Sequence, residues 1–73
     1  MPLYQIIKDG VILSTRRTKR PFRYGLIYTL RDDTGVVVRQ TFEYYGSDYC
    51  AKREARQGIS NGYEVERVDL VAI

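Results

Sequence analysis

The sequence predicts an α+β domain of order ββββαβ: an antiparallel sheet of hairpins with one helix packed on one face. Three observations predict it. Two short apolar runs flank Asp9-Gly10, residues 22–44 alternate in polarity around one turn, and only the stretch after Ser47-Asp48 carries helix signals. The length of 73 residues suits a single small domain spanning 1–73.

The elements follow in order. Leu3 to Lys8 and Val11 to Ser14 are apolar and rich in β-branched residues. Asp-Gly between them tolerates the positive φ angles of a type I′ turn, so 3–15 reads as a hairpin. In the next strand, Phe22, Tyr24, Leu26, Tyr28 and Leu30 fall on one side, with Arg23, Gly25, Ile27 and Thr29 on the other. Asp32-Asp33-Thr34-Gly35 makes a turn, with Gly35 suited to a left-handed position. Val36 to Tyr44 returns as a strand. Val36, Val38, Phe42 and Tyr44 form its apolar face, Gln40 is the one polar member of that face, and Arg39, Thr41 and Glu43 lie opposite. This second hairpin is expected at the centre of the sheet.

Ser47 or Asp48 caps the helix, and Asp48 complements its positive end. Arg53 and Arg56 lie toward the other end. Gly58 is expected to stop the helix, with Ile59 folding back over it. Ala51 and Ala55 share a narrow face of small residues, suited to close packing on a sheet. Tyr49, Lys52, Arg53 and Arg56 cluster on another face. Asn61-Gly62 turns the chain into a last strand, Tyr63 to Ile73. Its apolar positions shift from Tyr63 and Val65 to Val68, Leu70 and Ala72. That shift predicts either a bulge near Glu66-Arg67 or burial of both faces of the strand end. The pattern leaves strand order open.

Composition narrows the class. A chain this short buries about 60% of its unfolded surface, and its core supplies about 3–5 kcal/mol. A staple or a second copy would therefore help. Cys50 is the only cysteine, which excludes an internal disulfide and fits a reducing compartment. The absence of histidine removes the ordinary zinc ligand set. The opening MPLYQIIKDG lacks signal-peptide features, and no apolar run approaches the roughly 20 residues of a membrane span. The expectation is a soluble cytoplasmic protein with no membrane partner.

Several motifs invite a chemical reading. Asp33-Thr34-Gly35 spells the short signature of aspartic proteases, but that chemistry needs two such carboxylates sharing a proton, and a hairpin turn accounts for every residue. Asp32 and Asp33 could hold Mg²⁺; a solvated turn is the simpler account. Cys50 sits in the first helical turn, where amide dipoles lower a thiol pKa, yet the sequence places no base beside it. The seven tyrosines lie mostly on apolar faces and serve the core, with hydroxyls at its wet rim. No catalytic residue, cofactor or metal is expected, and the protein reads as non-enzymatic.

The strongest functional signal is Ser14 to Tyr24, STRRTKRPFRY. The formal net charge is only +3, but five of the twelve basic residues lie between positions 16 and 23 with no acid among them. The last strand holds Glu64, Glu66 and Asp69 against Arg67, so charge is polarised along the chain. Guanidinium groups donate paired hydrogen bonds to phosphate, and Ser and Thr add more. The candidate site is therefore Arg16, Arg17, Lys19, Arg20 and Arg23, extended by Arg53 and Arg56, with Tyr49 available to stack on a base. The bland alternative is a solvated loop whose charges protect a strand edge.

The stretch Ser14 to Phe22, S-T-R-x-T-x-R-P followed by an aromatic, resembles small uncharacterised bacteriophage proteins, together with the early hairpin and the terminal helix-strand unit. Tyr24 to Gln57, a hairpin followed by a helix with Ala51 and Ala55, is similar to the arm-binding domains of tyrosine integrases. Those pair a three-stranded sheet with a helix, and the sheet enters the DNA groove. This chain departs by adding a hairpin before and a strand after, and no integrase catalytic residues follow. The resemblance implies a phage or mobile-element origin and transfers no site residues.

Three readings stand. The first is a small phage-like protein contacting nucleic-acid backbone through its basic loop. The second is a protein-interaction module, such as a phage inhibitor of a host defence or transcription protein, docking that loop on an acidic surface. The third is a homodimer formed through an exposed strand, with Tyr63 to Ile73 or Leu3 to Lys8 as candidate edges.

Overall fold

The computed structural model describes residues 2–73. The first hairpin joins β1 (Leu3–Lys8) and β2 (Val11–Arg17). Asp9 at φ 53° and Gly10 at φ 77° both adopt the left-handed conformation that a two-residue hairpin turn demands. Ile6 pairs with Ser14 while Ile7 pairs with Ile12, so Leu13 is an extra residue in β2. Its side chain packs against the core.

The second hairpin joins β3 (Tyr24–Arg31) and β4 (Val37–Tyr45). Helix α1 (Asp48–Ser60) follows, then β5 (Glu64–Asp69) and β6 (Val71–Ala72). The fold is α+β, as expected, but the strands form two antiparallel sheets rather than one, of order β2-β1-β6 and β4-β3-β5. The expected single last strand is two. β5 pairs with β3, and after Leu70 the chain crosses to pair with β1 as β6. The shift in apolar positions falls within β5, which pairs with β3 without a register break: Val65, opposite Tyr28, faces the helix and Val68, opposite Gly25, packs against the core, so both faces of the strand are covered and no bulge lies near Glu66-Arg67.

The layers follow from register. Gly25, Ile27 and Thr29 of β3 lie opposite Tyr44, Phe42 and Gln40 of β4. This face meets the first sheet: Tyr4, Ile6, Ile27 and Tyr44 form the core, flanked by Leu13, Phe22, Phe42, Val68 and Leu70. The sheets approach closely at Gly25, where a Cβ would lie 2.8 Å from Ile6 Cγ1. The other face of β3 presents Leu26 and Tyr28 to the helix, whose Ala51 is fully buried, as is Leu26. The second sheet is therefore the middle of three layers, and β3, central in it, is covered on both sides. The single apolar face read for this strand was an underestimate.

Four further expectations are corrected. Gly58 does not stop the helix. It is buried within it, and the helix runs on to Ser60, with Asn61 donating to the carbonyls of Gln57 and Gly58, each at 3.1 Å. Val36 and Val38 do not join the core. The pairing shifts between Leu30/Arg39 and Arg31/Val37, which leaves Val38 as a bulge, and each valine stays 58% exposed. Phe22 precedes β3, and its ring lies between Tyr4 and Tyr44, with centroids 5.8 and 5.7 Å away. Leu3 to Lys8 is not an edge, because β2 and β6 flank β1. The edges are β2, β4, β5 and β6, so the Tyr63 to Ile73 region does contribute edge strands.

Candidate nucleic-acid interface

The basic segment joins the two sheets. Arg16 and Arg17 end β2, Lys19 and Arg20 occupy the connection to β3, and Arg23 stands just before β3. All five side chains are exposed. The connection is held by its backbone. Thr18 N–H donates to the Pro2 carbonyl at 3.1 Å, Arg23 N–H donates to Tyr45 O at 2.9 Å, and Leu70 N–H donates to Arg23 O at 3.2 Å. The Thr18 hydroxyl accepts from Arg20 N–H at 3.2 Å. The Phe22 ring, inserted between the sheets, anchors the C-terminal end of the segment.

Strand alternation separates Arg16 from Arg17. Arg16 pairs with Tyr4, whose side chain points between the sheets. Its guanidinium carbon sits 5.0 Å from the centre of the Tyr44 ring, and the Tyr44 hydroxyl donates to Ser14 Oγ at 2.7 Å. Arg16 thus closes the rim of the core, while Arg17 points to the outer face of the first sheet.

The charges differ sharply in pairing. Among the described residues none of Arg16, Arg17, Lys19, Arg20 and Arg23 has an ion-pair partner. Lys8 pairs with Glu66, Arg31 with Glu64 at 2.9 Å, Lys52 and Arg67 with Asp48 at 3.0 and 2.6 Å, and Arg53 with Glu54 at 3.3 Å. The connection also lies against the chain entering the helix, since a Cβ on Gly46 would sit 3.1 Å from the Pro21 carbonyl.

The helix residues do not join this patch as one face. Tyr49, Arg53 and Arg56 share the outward side of α1, which packs on the opposite face of the middle sheet from β1 and β2. Tyr49 is 72% exposed, but the Arg53 guanidinium carbon already lies 5.8 Å from its ring centre, and Arg53 is paired with Glu54. The contact between the basic connection and this part of the chain is made at Gly46, before the helix begins. The helix is capped by Ser47, whose Oγ accepts from Cys50 N–H at 3.2 Å. Arg67 lies 4.3 Å from the Tyr24 ring centre and ties β5 to the first helical turn through Asp48. Lys52, followed by Arg67, holds the Asp48 carboxyl below its ordinary range.

The other motifs resolve into structure. Asp32 Oδ1 accepts from Thr34 N–H at 2.9 Å, Thr34 Oγ1 at 2.6 Å and Val36 N–H at 3.0 Å. The Asp-Thr-Gly triplet is thus a turn organised by Asp32, whose carboxyl is held down first by the Thr34 hydroxyl. No group of metal-ligating side chains forms among the described residues, and no helix is long and apolar enough to cross a membrane.

Sequence reading missed a groove of about 300 Å³ between β4 and α1, lined by Tyr28, Glu43, Tyr45, Glu54, Gln57 and Tyr63 among others. One signal was present. A helix whose buried face is Ala51 and Gly58 is too narrow to cover three strands, and α1 sits over β3 and β5. In comparison with known proteins, no family model, curated protein or solved structure matches this chain.

Proposed function

We propose that the chain is a small non-enzymatic binding protein that contacts a nucleic-acid backbone through Arg16, Arg17, Lys19, Arg20 and Arg23. One observation carries this reading. These five cations have no carboxylate partner among the described residues, whereas five of the seven other basic side chains are ion-paired. Their charge is free to displace counterions from phosphates. The anchored backbone of the connection lowers the ordering cost of binding.

The test is binding of labelled double- and single-stranded DNA and RNA across a salt series. The double variant Arg17→Glu with Arg20→Glu is run beside the parent protein, since neither side chain supports the core. Each neutralised phosphate of B-DNA contributes a slope of about −0.9 to log K against log salt. Contacts from most of the segment therefore give a slope of about −3 to −4. Binding that the variant loses supports the reading. No binding at low salt overturns it.

The division of the cations between two layers favours a second reading, in which the compact segment docks on an acidic protein surface instead of tracking a long backbone. A saturable one-to-one complex with an acidic protein, without affinity for any nucleic acid, would assign the segment to that role.

A further inference from the structure

The groove between β4 and α1 has a chemistry opposite to that of the basic segment. Thr41, Glu43 and Tyr45 alternate along one face of β4, while Glu54, Gln57 and Asn61 follow one stripe of the helix. Tyr28 and Tyr63 complete the lining, with ring centres 6.0 Å apart and edge to face. The Tyr28 and Tyr45 hydroxyls lie 3.3 Å apart. Two carboxylates and three tyrosines thus meet in one concavity whose lining contains no cation. Glu43 has no ion-pair or side-chain hydrogen-bond partner among the described residues, and the only partner of Glu54 is its neighbour Arg53. In a chain of net charge +3 this is a local concentration of negative charge.

We propose that this groove is a binding site for an arginine side chain of a basic peptide segment. Charge complementarity selects a cation. The tyrosine rings favour a planar one, because a guanidinium stacks on an aromatic face while forming paired hydrogen bonds with carboxylates. The volume selects a side chain. About 300 Å³ lies at the small end of ligand pockets and accommodates a single large side chain. In the assignment, Glu43 and Glu54 hold the guanidinium, Tyr28 and Tyr45 supply faces and hydroxyls, and Gln57 and Asn61 accept or donate to the peptide backbone. The site shares no residue with the basic segment, so it stands or falls independently of nucleic-acid binding.

The experiment is a titration of the whole chain with a capped Gly-Arg-Gly-Arg-Gly peptide, followed by tyrosine ring resonances and by calorimetry. The same peptide with citrulline in place of arginine is the neutral control. Saturable shifts of the Tyr28, Tyr45 and Tyr63 rings are expected with the arginine peptide and not with the citrulline peptide. Glu43→Gln and Glu54→Gln keep the shape and remove the charge, and each is expected to weaken binding about tenfold. Native thermal melts of the two variants confirm that the fold is intact. Unchanged affinity in both variants, or equal binding of the citrulline peptide, overturns the assignment. Shifts confined to residues outside the groove also overturn it.

Discussion

Gly58 faces the ring of Tyr28 so closely that a Cβ built on it would lie 2.5 Å from Tyr28 Cε1 and 3.0 Å from Val65 Cγ2. Two effects oppose each other at this position. In a helix interior alanine is favoured over glycine by about 1 kcal/mol. Overpacking a filled contact costs about 1–3 kcal/mol. The Tyr28 ring has little room to yield, since it packs edge to face with Tyr63 and its hydroxyl meets that of Tyr45. Gly58→Ala is therefore expected to destabilise the protein by up to about 2 kcal/mol. Urea denaturation checks the sign, and an unchanged or raised midpoint would show that helix propensity wins.

The acid limb of stability is set partly by Asp48 and Asp32. Each carboxyl is held below the ordinary value of 3.8, the first mainly by Lys52 and then Arg67, the second mainly by the Thr34 hydroxyl. A carboxyl depressed in the folded state contributes stability that is present above its unfolded pKa and lost as pH falls through the folded one. The melting temperature is expected to fall as pH drops below about 4. In Asp48→Asn and Asp32→Asn that part of the fall should flatten, because the titrating group is gone. Thermal melts across this range, with unchanged slopes in both variants, would refute the assignment.

Legibility in the sequence followed local chemistry. The Asp9-Gly10 hairpin, the Asp32 turn, the Ser47 cap and the β3-β4 pair were all readable, because each depends on residues close in the chain. What remained hidden depended on distant contacts. Leu70 crosses between sheets only because β1 offers an edge to β6, and nothing near Leu70 announces it. Gly58 reads as a helix stop until Tyr28 is known to lie against it. The basic segment was legible as charge. That Arg16 caps the Tyr44 ring while Arg17 faces outward required the register of β1 with β2, and the groove required knowing which strands α1 covers.

Tyr28 and Tyr45 govern the alkaline limb. Burial is the largest cause raising both phenols above the ordinary value of 10.0. At Tyr45 the hydrogen bond with Tyr28 adds to it, followed by the charges of Tyr28, Glu43 and Glu54. A group whose folded pKa is raised contributes stability that is full below its unfolded pKa and is lost as pH rises beyond it. Stability is therefore expected to decline above about pH 10. Part of the tyrosinate absorbance should appear only with unfolding, and Tyr45→Phe should remove one phenol from that late step. A Tyr45→Phe titration identical in its late step to that of the parent would refute this account.

Arg16 and Arg20 separate folding from binding within one segment. The Arg16 guanidinium lies 5.0 Å from the centre of the Tyr44 ring, which is buried in the core, and an exposed cation–π contact of this kind is worth about 0.5–1 kcal/mol. Arg20 is exposed and has no ion pair among the described residues. Arg16→Ala is accordingly expected to lower stability by about 0.5–1 kcal/mol, and Arg20→Ala to stay within about 0.5 kcal/mol of the parent. If both side chains meet phosphate, each variant should reduce the salt slope of binding by about 1. Urea denaturation and the salt series on the same preparations give both readouts. Arg16→Ala with lowered stability and a full salt slope would make Arg16 a packing residue and confine the interface to Arg17, Lys19, Arg20 and Arg23. Loss of slope in both variants with loss of stability in only one would show that a single basic stretch both closes the core and holds the ligand.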